Sequence, residues 1–325
     1  MRISRDHLAS AVILAAYYFL IGYSRTLLDD TDILRCLDEF SQPETTLYSL
    51  REPLYWVPGK LLTEWTGQAW LAIVGFDLAS FWLLYKSQPR LKSVPFLVLG
   101  LLLSPLLVLG LSNIHRQLVG FAVWAFLIER SRGRSISLRV ALSLVPFFIH
   151  NSLLLLSFTY FLAEFIALRK WKLVLPAGAV VIALYLAVQS LGGDIQETYF
   201  REGTDTNTSV YLYIVWTITV FFAARVSIYS ALFMRWFALI GGTLAFALFE
   251  VSGGSSGSRF FMLVVTCIAL WSTANPLFQA RSMRATTFGA CLVLALATPT
   301  FANSFSRNIL FSALPEIQIP WVSNW

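Results

Sequence analysis

Charged residues are scarce in this 325-residue chain, at 13% against about 25% in a soluble domain. Apolar residues make up 57% and the mean hydropathy is +0.67. A water-soluble core of this size has no room for so much apolar surface, because the buried fraction levels off as a domain grows. Composition therefore excludes an ordinary soluble globule and makes lipid the solvent. Cysteine is rare as well: Cys267 and Cys291 lie inside apolar runs and Cys36 stands alone in a loop, which gives no disulfide framework. Three histidines, with no H-x-x-x-H and no C-x-x-C, argue against a transition-metal site. No Walker loop or dinucleotide fingerprint is present, so cytoplasmic nucleotide use has no support. No internal repeat is visible, and an inverted-repeat transporter gains nothing from the sequence. The net charge of +6 does not indicate nucleic acid, because the basic residues gather in short loops between apolar spans and report topology instead.

What is present is a series of long apolar runs. Segments 7–24, 67–85, 94–112, 113–129, 173–191, 209–225, 236–250, 258–273 and 286–302 meet or approach the length of a spanning helix, about 17–25 residues. The first follows Arg2 and Arg5 as a signal peptide would. No small-x-small cleavage site follows it, so it reads as an uncleaved first helix. The stretch 138–168 is too long for one crossing at ~1.5 Å of rise per residue. Basic loops at 86–92, 130–139, 169–172 and 281–284, with Arg2, Arg5, Arg225 and Arg235, place 16 of the 24 Lys and Arg on one side, which the positive-inside rule makes cytoplasmic. Of the 18 acidic residues, 14 fall in or beside 25–66, 192–208, 250–257 and the C-terminal tail. Both ends of 138–168 are then cytoplasmic, which demands a hairpin of two short helices bent near Pro146 and His150-Asn151-Ser152. The expected fold is all-α: one polytopic membrane domain over 1–325 with about eleven crossings, N-terminus inside and C-terminus outside. Periplasmic loops cover 25–66, with an interfacial segment at Pro53–Pro58, and 192–208. An interfacial tail covers 303–325.

Ionisable residues inside spans are costly and mark candidate sites. Asp77 lies mid-span and reads equally as a polar group bonded to a neighbouring helix. Arg116 and Arg259 stand at outer helix ends, where a guanidinium either snorkels to lipid phosphate or binds pyrophosphate through its planar fork of donors. Asn113, Arg116 and Gln117 share a helical face by their spacing. His115 reads as interfacial. His150 either caps a carbonyl freed at the bend or serves as a neutral general base, and the polar Asn151 and Ser152 beside it favour a site. Asp29, Asp30 and Asp32 read as a solvated loop face, with a divalent cation as the alternative. Loop 192–208 carries a lone Arg201.

Asn113-Ile114-His115-Arg116-Gln117 resembles the N-x-x-R-Q motif of the EpsG-like, Wzy-type polysaccharide polymerases. In that family an H-x-S follows about 35 residues later, and His150-Asn151-Ser152 stands at that distance. Arg51-Glu52-Pro53-Leu54-Tyr55 is similar to the family's E-P-aromatic segment, Asp30 or Asp32 to the acidic residue before it, and Ser258-Arg259-Phe260-Phe261 to a late R-aromatic segment. The resemblance spans roughly residues 25–265; Val119-Gly120 departs from the small residue, such as Ala, usual soon after the Gln.

The resemblance implies a glycosyltransferase of the bacterial inner membrane. It would join oligosaccharide units carried on undecaprenyl pyrophosphate into O-antigen or exopolysaccharide chains at the periplasmic face, with no cofactor. Arg116 and Arg259 would stabilise the leaving pyrophosphate, His150 or Glu52 would be the base, and Asn113, Gln117 and Ser152 would orient the substrates. Arg51 and Arg201 join the substrate-binding candidates. Expected partners are the lipid-linked oligosaccharides, membrane lipid and, by analogy, a chain-length regulator protein. Rival readings are a metal- and carboxylate-dependent lipid-phosphate-sugar glycosyltransferase, an O-antigen ligase, and a non-enzymatic flippase or transporter of the same lipids.

Overall fold

The computed structural model describes residues 32–42, 52–87, 105–112, 114–170, 231–252 and 255–273, with positions 8, 12–16, 18–19, 50, 172, 176 and 179. Segments 209–225 and 286–302, loop 192–208 with Arg201, tail 303–325 and most of 7–24 and 173–191 lie outside the described residues, as do Asp29, Asp30, Arg51 and Asn113. Among the described residues all regular structure is helical and there is no strand.

The segment 25–66, expected as a loop, contains two helices, α1 (Asp32–Ser41) and α2 (Pro53–Thr66). Helix α1 buries Ile33, Cys36 and Phe40, an i, i+3, i+7 stripe that its four charged residues mask in a composition reading. Helix α2 opens on Pro53, whose fixed φ suits a first helical position. It ends at Gly67, whose left-handed backbone (φ 72°) lets its N–H bond to the Thr63 carbonyl. Tyr55, Trp56, Gly59 and Lys60 of α2 are buried. Gly59 is required there, because a Cβ would overlap the Phe40 ring of α1.

Helix α3 (Ala69–Ser87) is, among the described residues, the one helix long and apolar enough to cross a membrane, and only 22% of its apolar window is buried. Leu71, Leu78 and Trp82 face outward from it, the kind of apolar surface that marks contact with lipid or a partner. Shorter apolar helices cover Ile136–Phe148, Ser152–Ala167, Leu232–Leu248 and Arg259–Ile268. After α4 (Pro105–Ser112) and α5 (His115–Arg130), Ser135 caps α6 (Ile136–Leu144) by accepting from the Leu138 N–H. A 3-10 turn at Val145–Phe148, opened by Pro146, leads to α7 (Ser152–Ala167). Ser157 Oγ donates to the Ser143 carbonyl, and Arg139 donates to Glu164 and Tyr160. Those pairings make α6 and α7 an antiparallel hairpin with its apex at His150. Helices α8 (Ala231–Ser252) and α9 (Ser255–Thr273) complete the described bundle.

Two apolar clusters meet across α5. One joins α4, α5, α7, α8 and α9 through Trp124, Tyr160, Phe233, Phe237 and Trp271, and the Phe237 and Trp271 rings approach to 4.8 Å. The other joins α1, α2 and α3 through Cys36, Phe40, Tyr55, Trp56, Ile73 and Phe76, with Val119 of α5 and Ile149 from the hairpin apex. Gly120 lets α5 approach that apex: a Cβ there would overlap Leu153 and crowd Ile149. Gly120→Val is expected to destabilise the protein by about 1–3 kcal/mol through overpacking. A melting temperature unchanged from wild type in purified protein would contradict this close approach.

Candidate functional site

Helices α3 and α5 run roughly parallel, since Asp77 pairs with His115 and Trp82 packs on Phe126. His115 is the first residue of α5, yet it meets Asp77 in the middle of α3. Helix α5 therefore begins below the end of its neighbour, and residues near its N-terminus are recessed. His115, Arg116 and Gln117 are all buried although successive positions on a helix point about 100° apart. Only an end enclosed on several sides can do this.

Arg116 is the hub. Its Nη1–H donates to Glu52 Oε2 (2.7 Å), and its Nη2–H and Nε–H donate to Asp32 Oδ1 and Oδ2 (2.9 and 3.5 Å). The guanidinium also lies 5.3 Å from the centre of the Trp56 ring, within cation–π reach. One cation holds two carboxylates, brought from positions 64 and 84 residues away. The cluster carries a net negative charge when both acids are ionised. Burial raises the Glu52 carboxyl above its ordinary range, and the Arg116 charge and hydrogen bond pull it back only in part. The Asn151 backbone N–H also bonds to this carboxylate, which ties Glu52 to the hairpin apex.

A second chain of hydrogen bonds starts at the next residue of α5. Gln117 Nε2–H donates to Ser152 Oγ (3.2 Å) and to the Arg259 carbonyl (3.3 Å). Ser152 Oγ is 2.8 Å from His150 Nδ1, and the Ser152 backbone N–H donates to the same nitrogen (3.3 Å). The Ser152 backbone N–H can only donate, so Nδ1 is an acceptor and takes the Ser152 hydroxyl proton as well. Two donors on Nδ1 leave the neutral ring's proton on Nε2. In that tautomer His150 presents an N–H donor at Nε2. Both Arg116 and Arg259 lie within electrostatic reach of the ring. The N-termini of α5, α7 and α9 converge here, and helix N-termini favour anions through their unpaired N–H groups.

A third network lies beneath. Tyr55 Oη is 2.7 Å from His115 Nδ1 and 3.3 Å from Cys36 Sγ, His115 Nε2 is 3.0 Å from Asp77 Oδ1, and Tyr18 donates to Asp77 Oδ2 (3.0 Å). Asp77 is therefore bonded to neighbouring segments, the structural one of its two readings. The interfacial reading of His115 is corrected: its side chain is fully enclosed, because α2 and α3 pack over the start of α5. Burial, then the negative charge of Asp32, push the Cys36 thiol up to about 12, so it stays protonated and inert. Tyr55→Phe strands His115 Nδ1 without its partner and is expected to cost about 1–3 kcal/mol. Chemical or thermal denaturation matching wild type would contradict that network.

Of the predicted site residues, Glu52, Arg116, Gln117, His150, Ser152 and Arg259 come together, while Asn113, Arg51 and Arg201 lie outside the described residues. Asp32 pairs with Arg116, and among the described residues no three His, Cys, Asp or Glu side chains group as potential metal ligands. Asn151 and Tyr55 entered the sequence reading only as neighbours within motifs, and Trp56 only as part of the interfacial segment Pro53–Pro58. Tyr55 and Trp56 carried a signal, as adjacent aromatics three and four residues after Glu52. The chain matches no protein-family model, no curated protein and no solved structure, so the site's own geometry carries the functional reading.

Proposed function

We propose that this protein is a multi-span glycosyltransferase of the bacterial inner membrane that polymerises lipid-linked oligosaccharide repeat units at its periplasmic face. The expected eleven crossings and N-in, C-out orientation belong to this reading. Support comes from the outward apolar face of α3 and from the basic residues Lys86, Arg130 and Arg169, which stand at the ends of α3, α5 and α7 remote from the Arg116 cluster.

The observation that carries the reading is the meeting, in one recess, of a buried carboxylate that can take a proton and donors suited to a leaving anion. Glu52 accepts the proton of an acceptor-sugar hydroxyl. As that oxygen bonds to the donor sugar's anomeric carbon, the bond from this carbon to the pyrophosphate oxygen breaks and the electron pair leaves with undecaprenyl pyrophosphate. The N–H at His150 Nε2 and the Arg259 guanidinium stabilise the negative charge that develops there. Arg116, spanned by Asp32 and Glu52, is a positioning residue that orients the base and sets its proton affinity. Ser152 fixes the His150 tautomer, and Gln117 holds Ser152. Holding both substrates in one recess adds the proximity effect, which can reach ~7–11 kcal/mol.

The test is reconstitution of the full chain in proteoliposomes with purified undecaprenyl-pyrophosphate-linked repeat units from the host strain. The expected result is a ladder of oligomers with one undecaprenyl pyrophosphate released per linkage, insensitive to chelation. Transfer of units across the bilayer with no new linkage would favour the transporter reading. Chelator-sensitive synthesis would favour the metal-dependent glycosyltransferase.

A further inference from the structure

Two amide oxygens in the recess, Gln117 Oε1 and Asn151 Oδ1, are buried and accept no hydrogen bond. Buried acceptors of this kind are uncommon in folded proteins, and each calls for a donor, an ordered water or a ligand group. The orientation of the Gln117 amide is fixed by chemistry: its nitrogen faces the Arg259 carbonyl, which can only accept. Its oxygen must then point elsewhere. Asn151 follows His150, precedes Ser152 and gives its backbone N–H to the Glu52 carboxylate. Whatever binds Asn151 Oδ1 is therefore beside the proposed base.

The chemistry of the missing donor is constrained. A phosphate or carboxylate offers only acceptors and satisfies neither amide oxygen. A metal ion or ammonium is drawn to the ionised carboxylates of Asp32 and Glu52 in preference to a neutral amide oxygen. Neutral O–H groups, of water or of a ligand, suit both oxygens, and a ligand that replaces two such waters at once with its own hydroxyls is a sugar.

We infer that Gln117 Oε1 and Asn151 Oδ1 form a hydroxyl-accepting subsite that takes two O–H groups of the acceptor sugar and presents a third to Glu52. This rests on the reading of the recess as a glycosyl-transfer site and names the part that holds the acceptor. It divides the recess by charge: Arg259 and the N–H of His150 face the pyrophosphate, and the two amide oxygens face the acceptor. Asn151 becomes a determinant of which sugar is extended.

Saturation-transfer NMR on the full chain in nanodiscs, with a panel of methyl glycosides of common hexoses and deoxyhexoses, tests the subsite without requiring turnover. At least one glycoside is expected to bind wild type, and Asn151→Ala and Gln117→Met are each expected to weaken it about tenfold. Singly deoxygenated versions of the bound glycoside give a second readout that needs no variant. Two of the deoxygenations are expected to weaken binding about tenfold each. Absence of glycoside binding to wild type, binding indifferent to both variants, or no single deoxygenation costing more than about twofold would overturn the subsite. Binding that depends on Asn151 in a protein that forms no polymer would keep the subsite and sink the polymerase reading. Polymerisation indifferent to Asn151 would do the reverse.

Discussion

Arg116→Ala is expected to lower polymerisation about 10²–10³-fold, the scale of losing one preorganised electrostatic group. The reason is local. The guanidinium bridges Asp32 and Glu52, and without it two carboxylates face each other in a buried recess. Breaking a buried ion pair from one side costs about 3–5 kcal/mol, so a lower melting temperature accompanies the loss of turnover. Arg116→Lys is expected to fail nearly as badly, because one ammonium cannot reproduce a fork that grips two acids. The measurement is oligomer yield in proteoliposomes at matched protein content. Full activity of the Lys variant would show that charge alone matters and that the fork does not.

Glu52→Gln is expected to lower turnover about 10²–10⁴-fold, the usual contribution of a general base. The amide is isosteric and keeps one acceptor oxygen for Arg116, so the fold survives. The pH profile adds an independent reading. Burial raises the Glu52 carboxyl, and Arg116 opposes that rise. A base must be ionised, so wild-type turnover is expected to increase with pH across a limb above the ordinary carboxylate range. In Arg116→Gln the opposing charge is gone, and the limb moves to still higher pH. A limb that stays in place in that variant, or survives in Glu52→Gln, would assign it to another group.

Much of this site was legible from polar residues that interrupt apolar runs. Arg116, Gln117, His150 and Ser152 stand out because strongly apolar segments seldom carry such residues without a site to serve, and the bend at Pro146–Ser152 followed from charge at both ends of 138–168. The partners were not legible. Nothing local says that Arg116 reaches Asp32, 84 residues away, through a helix that interrupts the expected loop. Hydrophobic periodicity fixes which face of a segment is buried, not which segment covers it. His115 shows the consequence: beside an arginine at a helix end it reads as interfacial, but the recessed start of α5 encloses it. Tautomers are further from the sequence still. The role of His150 turned on the direction of the hydrogen bonds that run from Ser152 to Nδ1.

The most direct measurement is the length of surface polysaccharide in cells whose only copy of the protein carries Glu52→Gln, with membrane levels matched to wild type. The account predicts loss of long chains with single surface repeat units retained, because linkage fails while export and attachment continue. Long chains of normal length would contradict Glu52 as the base, and loss of the single units as well would point to the transporter or ligase instead.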